Sequence, residues 1–325
     1  LAREPDRVAG HTLRSGPLYF NFARQSYDAP AWQALLAQGE AAALPGAFRR
    51  LFDGAEVNVT EGRAALHTAL RGKNSDAVVA REAYAMALDV RQRMAAVIAQ
   101  LEASGVTDIV SVGIGGSDLG PRLLNDVFAK LELAEAPALN IQFAANVDFH
   151  EMKAALAALN PKTTLVVIAS KSFSTRETLH NAQHIFKWLD AAGPQYRPKA
   201  LVAATCKPSK AVEFGVDPQR VFEFSESVGG RYSLWGPVSI GIRMVHGNAV
   251  FNELLKGAAL IDQHVRESEA SQCIPTLLAM SDLYNLEHGV ASLMLSPYDS
   301  RLSLLSPYLQ QLWMESLGKG VDKNG

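Results

Sequence analysis

The sequence predicts an α/β fold in which a parallel β-sheet lies between two layers of helices. Between about residues 105 and 245, short apolar runs alternate with longer segments of helical periodicity. Near-continuous apolar strands are typical of a parallel sheet that is covered on both faces. Connections of helical length also allow the strands to run parallel. The length of 325 residues leaves room for two domains.

Helical segments flank this central unit on both sides. Residues 1–60 predict a helical N-terminal arm, whose periodicity is broken at Pro45. The central αβα unit covers residues 61–245 and opens with a long amphipathic helix. Residues 246–325 predict a mainly helical segment with a short strand in "GVASLMLSP".

The loops that leave the predicted strands are the first places to look for a site. The predicted strands are, in order, "TDIVSVGIGG", "LNIQFAAN", "TTLVVIASKS", "KALVAAT" and "RVFEFS". The helices between them include "DLGPRLLNDVFAKL", "DFHEMKAALAAL" and "STRETLHNAQHIFKWL". Ligands of open parallel sheets bind outside the carboxyl ends of the strands.

Composition argues against several classes of protein. The formal net charge of −2 is unlike that of a nucleic-acid-binding protein. No apolar run approaches the roughly 20 residues of a transmembrane helix, and no leader is evident. Cys206 and Cys273 lie outside any metal or redox spacing, which favours a reducing cytoplasm. Leu1 is not an initiator Met, so we expect the natural start to be missing.

The first candidate loop, "GIGGSDLGPR", joins a strand to a helix. A dinucleotide fingerprint fails because Asp118 stands where the third glycine should be. A Walker A motif fails because Pro121 and Arg122 replace its Lys and Ser/Thr. Glycines and a helix N-terminus can still bind an anion, with Ser117 adding a hydroxyl. The alternative is a tight turn that needs glycine for its φ angles.

The second candidate loop, "ASKSFSTRET", is rich in hydrogen-bond donors. Its donor side chains are Ser170, Lys171, Ser172, Ser174 and Thr175. Short hydroxyls and free backbone N–H groups at a helix N-terminus suit a phosphate monoester. The alternative is a capped helix with a polar entry loop, in which Ser174 and Glu177 form a capping box.

The helix after this loop carries His180 and His184 four residues apart. That spacing can bind zinc, but "HNAQH" lacks the Glu of the HExxH motif and no third ligand is evident. We therefore predict a surface histidine pair and no metal site.

The third candidate loop, "SESVGGRYSLWGP", places Arg231 directly after a glycine pair. An arginine held in this way at a strand end can present its donors to an anion or to a developing oxyanion. The alternative is an arginine paired with Glu223 or Glu226.

Five ordered segments resemble the glucose-6-phosphate isomerase family. They are "NVTEGRAALHTALR", "GIGGSDLGP", "SKSFSTRET", "VGGRYSLWGP" and "QQLWMESLGKGVD". Five motifs in the family's order are more specific than any one of them. "GGRYS" and "MES.GK" distinguish this family from other sugar-isomerase (SIS) domains. The resemblance implies a three-layer αβα sandwich of the SIS type, with a second such domain starting in residues 246–325.

The resemblance also implies an activity and a set of site residues. The activity is the interconversion of glucose 6-phosphate and fructose 6-phosphate without a cofactor, by a cytoplasmic homodimer of glycolysis and gluconeogenesis. Glu315 would be the base, and Arg231 would face the reacting end of the sugar. The implied substrate-binding residues are Gly116, Ser117, Ser170, Lys171 through its backbone, Ser172, Thr175, Gly230 and Gln311.

The chain departs from the family pattern in two respects. Leu317 stands where the family usually has Asn. Family chains also continue past Gly325, and that part carries the His associated with ring opening and a Lys and a Gln near the C-terminus. None of the eight histidines here matches that His motif, so none is assigned the role. We therefore expect the 325 residues alone to be inactive or nearly so, with apolar surface exposed.

Glu315 is also a candidate base on physical grounds. An aldose–ketose isomerase moves a proton between C2 and C1 through a cis-enediolate, and one carboxylate can do this when burial brings its pKa towards neutrality. Glu315 is the only charged residue between Arg301 and Lys319, so we expect it to be buried, with Gln311 one turn earlier on the same side. The alternative is a solvated glutamate on a surface helix.

Three other functions stay open at this point. An SIS-type module could bind a sugar phosphate without catalysis, which would not require Glu315 or Arg231. Another phosphosugar isomerase of this fold, such as an aminosugar synthase domain, should lack "GGRYS" and "MESLGK". A nucleotide-binding enzyme is disfavoured by the failed glycine spacings.

Overall fold

The computed structural model describes residues 4–131 and 139–321. The strands are β1 (Thr12–Ser15), β2 (Leu18–Asn21), β3 (Asp108–Val112), β4 (Asn140–Ala144), β5 (Thr164–Ala169), β6 (Leu201–Thr205) and β7 (Val221–Glu223). The helices are α1 (Arg7–Gly10), α2 (Ala29–Ala41), α3 (Leu44–Phe52), α4 (Val78–Glu102), α5 (Leu119–Ala129), α6 (Phe149–Ala157), α7 (Arg176–Ala192), α8 (Arg197–Ala200), α9 (Pro208–Glu213), α10 (Ile240–His246), α11 (Asn248–Glu267), α12 (Ile274–Glu287) and α13 (Leu305–Leu317). None of these helices is long and apolar enough to cross a membrane.

A five-stranded parallel sheet forms the centre, in the order β4-β3-β5-β6-β7. The chain leaves β3 to one side to form β4 and returns to the other side to form β5. Parallel sheets bind ligands where the strand order reverses in this way. The glycine-rich loop after β3 and the serine-rich loop after β5 therefore start side by side.

The alternation of side chains along each strand separates two apolar layers. Ile109 on β3 packs into a cluster with residues of α4, α5, α10 and α11. Its neighbour Val110 points to the opposite face and packs with residues of α6 and α7. Successive side chains of a strand point to opposite faces, so both faces need an apolar cover. The predicted three-layer αβα fold is confirmed.

The N-terminal arm contains a β-hairpin as well as the helices that we predicted. β1 and β2 pair antiparallel, and Gly16 at the turn has φ +56°, which favours glycine. The prediction of a purely helical segment missed this pair. The arm packs on α12, where the Tyr27 hydroxyl lies 3.2 Å from the Ser281 hydroxyl oxygen. Within the arm, the Tyr27 ring stacks on Trp32.

The C-terminal segment differs from the prediction in two places. Residues 289–297 form no strand, because in the described chain they pair with no other strand. Phe251 and Leu255 of α11 are buried in the core of the parallel sheet, so the helical layer of the central unit extends beyond residue 245. α13 packs on α5 and brings its residues to the carboxyl ends of the strands.

Candidate active site

The three loops meet at the carboxyl edge of the sheet. In the first loop (residues 113–118), a Cβ on Gly113 would lie 3.0 Å from the Ala169 carbonyl oxygen at the end of β5. The second loop (residues 170–175) contacts the third (residues 225–236), since Lys171 Nζ donates to the Glu226 carbonyl oxygen at 2.6 Å. The topology of the sheet thus gathers the predicted loops into one site.

Gly116 is buried under the third loop. A Cβ at this position would lie 2.5 Å from the backbone nitrogen of Arg231 and closer still to the Gly230 carbonyl group. The family resemblance implies that Gly116 lets the substrate approach the backbone, and its packing under the third loop is a second reason for glycine here. Gly230, by contrast, has no atom within 4 Å of an added Cβ and faces open space.

Arg231 and Glu315 form an ion pair at the centre of the site. Arg231 Nη1 donates to Glu315 Oε1 at 2.9 Å, and Arg231 Nε donates to the Ser316 hydroxyl at 2.8 Å. The expected alternative, a pair with Glu223 or Glu226, is wrong, because Glu226 is paired with Lys207 instead.

Gln311 holds the second carboxylate oxygen of Glu315. Its Nε2 donates to Glu315 Oε2 at 3.0 Å from one helical turn away, as the spacing predicts. The same Nε2 would lie 2.9 Å from a Cβ on Gly115, whose φ of +58° lies in the left-handed region that favours glycine. The first loop therefore packs directly on the residue that orients the carboxylate.

The hydroxyls of the second loop bond to each other instead of capping α7. Ser170 Oγ lies 3.1 Å from Thr175 Oγ1, and Ser174 Oγ donates to Ser172 Oγ at 2.8 Å. The predicted capping box is wrong, since Thr175 is the N-cap residue and forms no side-chain cap. Phe173 has φ +47°, a strained conformation for a bulky residue and typical of functional loops.

Ser117 stands apart from the serine-rich loop. It is partly buried at the end of the first loop. In the described ranges no side-chain hydrogen bond joins Ser117 to the second loop. A ligand that used both loops would have to bridge them, as a phosphate group with several acceptor oxygens can.

Glu315 is more exposed than we predicted. Its side chain is 48% exposed, whereas that of Arg231 is 19% exposed. The expectation of burial is wrong for this structure, because α13 packs on α5 and on the third loop with only one side. Its other side leaves Trp313, Met314 and Leu317 exposed as well, as the sequence predicts for the apolar surface.

Four residues of the site were not predicted from the sequence: His67, Tyr232, Tyr308 and Ser316. The Tyr232 hydroxyl lies 3.2 Å from Ser316 Oγ, and the His67 ring stacks on Tyr232 at 4.5 Å. The Tyr308 hydroxyl donates to the Arg231 carbonyl oxygen at 3.1 Å. His67, Tyr232 and Ser316 lie within three of the five segments that resemble the family. Their position in these segments is the sequence feature that could have identified them.

His67 predicts a pH dependence of stability. Burial, followed by the charges of Arg71 and Arg231, lowers its pKa from 6.5 to about 3. The folded protein therefore keeps His67 neutral below pH 6.5, where the unfolded chain takes up a proton. We expect this residue to cost up to about 2 kcal/mol of stability between pH 7 and pH 5. Denaturant unfolding at both pH values should show a smaller loss for His67→Gln, and an equal loss would contradict this origin.

The histidine pair on α7 lies outside the site. His180 Nε2 and His184 Nε2 are 3.2 Å apart. Within residues 4–131 and 139–321 no group of three or more His, Cys, Asp or Glu residues could hold a metal ion. Asp322, the last residue of the fifth motif, lies outside the described residues.

Comparisons with known proteins agree on one family. The family model for phosphoglucose isomerase matches residues 21–325. A glucose-6-phosphate isomerase of Stenotrophomonas maltophilia is 48% identical over the whole of this chain, which covers 63% of that protein. One from Xanthomonas oryzae pv. oryzae is 47% identical with the same coverage. The chain thus spans about 63% of the length of these curated relatives.

Two solved structures share the fold of this chain. A crystal structure of a glucose-6-phosphate isomerase from Chlamydia trachomatis superimposes with a TM-score of 0.85 at 26% identity, covering 98% of this chain and 62% of that one. A hypothetical protein from Thermus thermophilus matches with a TM-score of 0.65 at 29% identity, covering 91% of this chain and 65% of that one. The matched segment contains the fold, the three loops and the Arg231–Glu315 pair, and the chain belongs to the phosphoglucose isomerase family.

Proposed function

We propose that this chain carries out, as part of a phosphoglucose isomerase, the interconversion of glucose 6-phosphate and fructose 6-phosphate. The observation that supports this most is the carboxylate of Glu315, held between Arg231 and Gln311. It lies at the carboxyl edge of the sheet, where the serine-rich loop supplies donors for a phosphate group.

Each part of the site has a role in the proposed reaction. The phosphate is bound by the second loop, through Ser170, Ser172, Thr175 and the backbone of Lys171, and by Ser117 on the first loop. Gly116 and Gly230 allow the backbone to approach the substrate closely. Glu315 takes the proton from C2 of the open-chain sugar and returns it to C1, through a cis-enediolate. Arg231 stabilises the negative charge that develops on the enediolate oxygen. These steps require no cofactor.

The hydrogen bonds around Glu315 suggest which of its oxygens moves the proton. Oε1 is bonded to the charged guanidinium of Arg231 at 2.9 Å. Oε2 is bonded to the neutral amide of Gln311 at 3.0 Å. Charge-assisted hydrogen bonds are about twice as strong as neutral ones. Oε2 is therefore freed at lower cost, and we assign it to proton transfer.

A non-catalytic sugar-phosphate sensor is the second candidate. It would need the phosphate loops but neither Arg231 nor Glu315. The direct bond between these two residues favours the enzyme, because it places a base and an anion-stabilising cation at the same point.

We also propose a cytoplasmic homodimer that binds neither nucleic acid nor membranes. The resemblance and the low net charge support this. The buried free thiols of Cys206 and Cys273 suit a reducing compartment. A second SIS-type domain stays a prediction, and if it forms, its core starts after α11.

The decisive experiment compares two forms of the protein. A coupled assay, together with loss of deuterium from C2-labelled glucose 6-phosphate, measures isomerisation directly. We expect activity from a form that also carries the remaining third of the family's length. A polypeptide of these 325 residues should be at least about 10²-fold slower, because Glu315 is left half exposed to water. Equal activity would contradict this, and binding of the sugar phosphate without isomerisation by the longer form would favour the sensor.

A further inference from the structure

A cavity rich in arginine lies away from the three loops. Its volume is about 460 Å³, and residues of α4, α10 and α11 line it. Its cationic side chains are Arg71, Arg91, Arg243 and Lys256. No aspartate or glutamate of the described ranges lines it. This excess of positive charge favours a negatively charged occupant.

Two of the four cations already have carboxylate partners. Arg71 Nε donates to Asp262 Oδ2 at 2.9 Å, and a second bond joins the same pair. Lys256 Nζ lies 2.6 Å from Glu253 Oε1. Their charges are therefore balanced by the protein itself.

Arg91 and Arg243 have no such balance in the part of the chain that the structure describes. Arg243 is 2% exposed, and its Nε has no hydrogen-bond partner. Arg91 Nη2 is buried without a partner too. The only side-chain acceptors of Arg243 in the described chain are the neutral amides of Asn248, at 3.3 Å, and Asn252, at 3.4 Å.

Packing against an aromatic ring stabilises the Arg243 guanidinium only in part. The guanidinium carbon of Arg243 lies 4.4 Å from the centre of the Phe251 ring, so the ring covers one face of the ion. Such a contact supplies no counter-charge and leaves Nε without an acceptor in the described chain. Burial and the nearby charge of Arg91 lower the pKa of Arg243 to about 10, which still leaves it charged at neutral pH. A buried cation without a counter-charge is strongly unfavourable.

We propose that this cavity is a second anion site, which binds the phosphate group of a small phosphorylated metabolite between Arg91 and Arg243. The planar fork of an arginine matches the oxygens of a phosphate, and two arginines can neutralise its charge. Asn248 and Asn252 flank the group with amide side chains. The site shares no residue with the proposed catalytic loops, so it does not depend on the proposed isomerase activity.

Thermal unfolding of the full-length protein with inorganic phosphate tests the proposal. Ser172→Ala/Thr175→Ala removes donors from the catalytic loop, and phosphate should still raise the unfolding temperature of this variant by a few degrees. Adding Arg243→Met should abolish that rise. Without phosphate, Arg243→Met should be at least as stable as the parent, because a buried unpaired charge is gone. Arg81→Met, an exposed arginine of α4 outside the cavity, is the matched control and should keep the rise.

Three results would overturn the proposal. The first is an unchanged phosphate response after Arg243→Met. The second is no response in the loop variant, because the cavity would then bind no phosphate. If Arg243→Met does not fold, Arg91→Met takes its place, and we expect calorimetry to show at least tenfold weaker phosphate binding by this variant.

The third result that would overturn the proposal is an unchanged phosphate affinity of Arg91→Met.

Discussion

Replacing Glu315 by Gln in the full-length protein is expected to lower turnover by about 10³-fold. The amide keeps the size of the side chain and can still bond to neighbours, but it cannot accept the proton that the proposed reaction takes from C2. KM should change little, because the proposed phosphate ligands lie on other loops. Exchange of the C2 deuteron with solvent should disappear together with turnover, since both need the same base.

Glu82 offers a matched control for this experiment. It is an exposed glutamate of α4, and Glu82→Gln should leave turnover unchanged. A Glu315→Gln protein that keeps turnover within about tenfold of the wild type would show that another group is the base. Loss of turnover with intact C2 exchange would likewise remove Glu315 from the proton-transfer step.

Gly116→Ala is expected to damage both the stability and the activity of the protein. The added methyl group would overlap the Gly230 carbonyl group and the Arg231 nitrogen, so the third loop has to move. Overpacking of this kind costs about 1–3 kcal/mol. A shift of about 1 Å in Arg231 would lower turnover by about 10²-fold. Denaturant unfolding and the coupled assay measure the two effects.

Gly230→Ala is the control for Gly116→Ala, because it adds the same methyl group at a position with free space. Its Cβ meets no atom within 4 Å and its φ is not positive, so stability should change by less than about 0.5 kcal/mol. If Gly116→Ala were equally harmless to stability, the close packing of the first loop on the third would be wrong. A loss of activity in Gly230→Ala at unchanged stability would support its place beside the substrate.

The sequence alone determined the fold of the central unit. Short apolar runs rich in β-branched residues, such as that of β5, favour a sheet covered on both faces, and all six residues of β5 are buried. The glycine and serine clusters at strand ends then had to lie at one edge. Local periodicity predicts where each strand begins and ends, because the pattern of neighbouring residues determines the type of secondary structure.

The hydrophobic pattern of the sequence predicted strands less reliably where the structure depends on the pairing of one strand with another. The hairpin of β1 and β2 was missed, since its four-residue strands are too short for a clear alternation. The expected strand at residues 289–297 does not form, because a strand requires a partner that the described chain does not supply.

The geometry of the site was decided only by the tertiary structure. Arg231 and Glu315 are 84 residues apart, and nothing in either local sequence indicates that they bond to each other. The exposure of Glu315 depends on which surfaces cover α13, and the need for glycine at position 116 depends on a loop from another strand. The sequence by itself determined which residue types lie at the carboxyl edge, since local periodicity places the strand ends. Their partners and burial arise from contacts between distant segments, which only folding brings together.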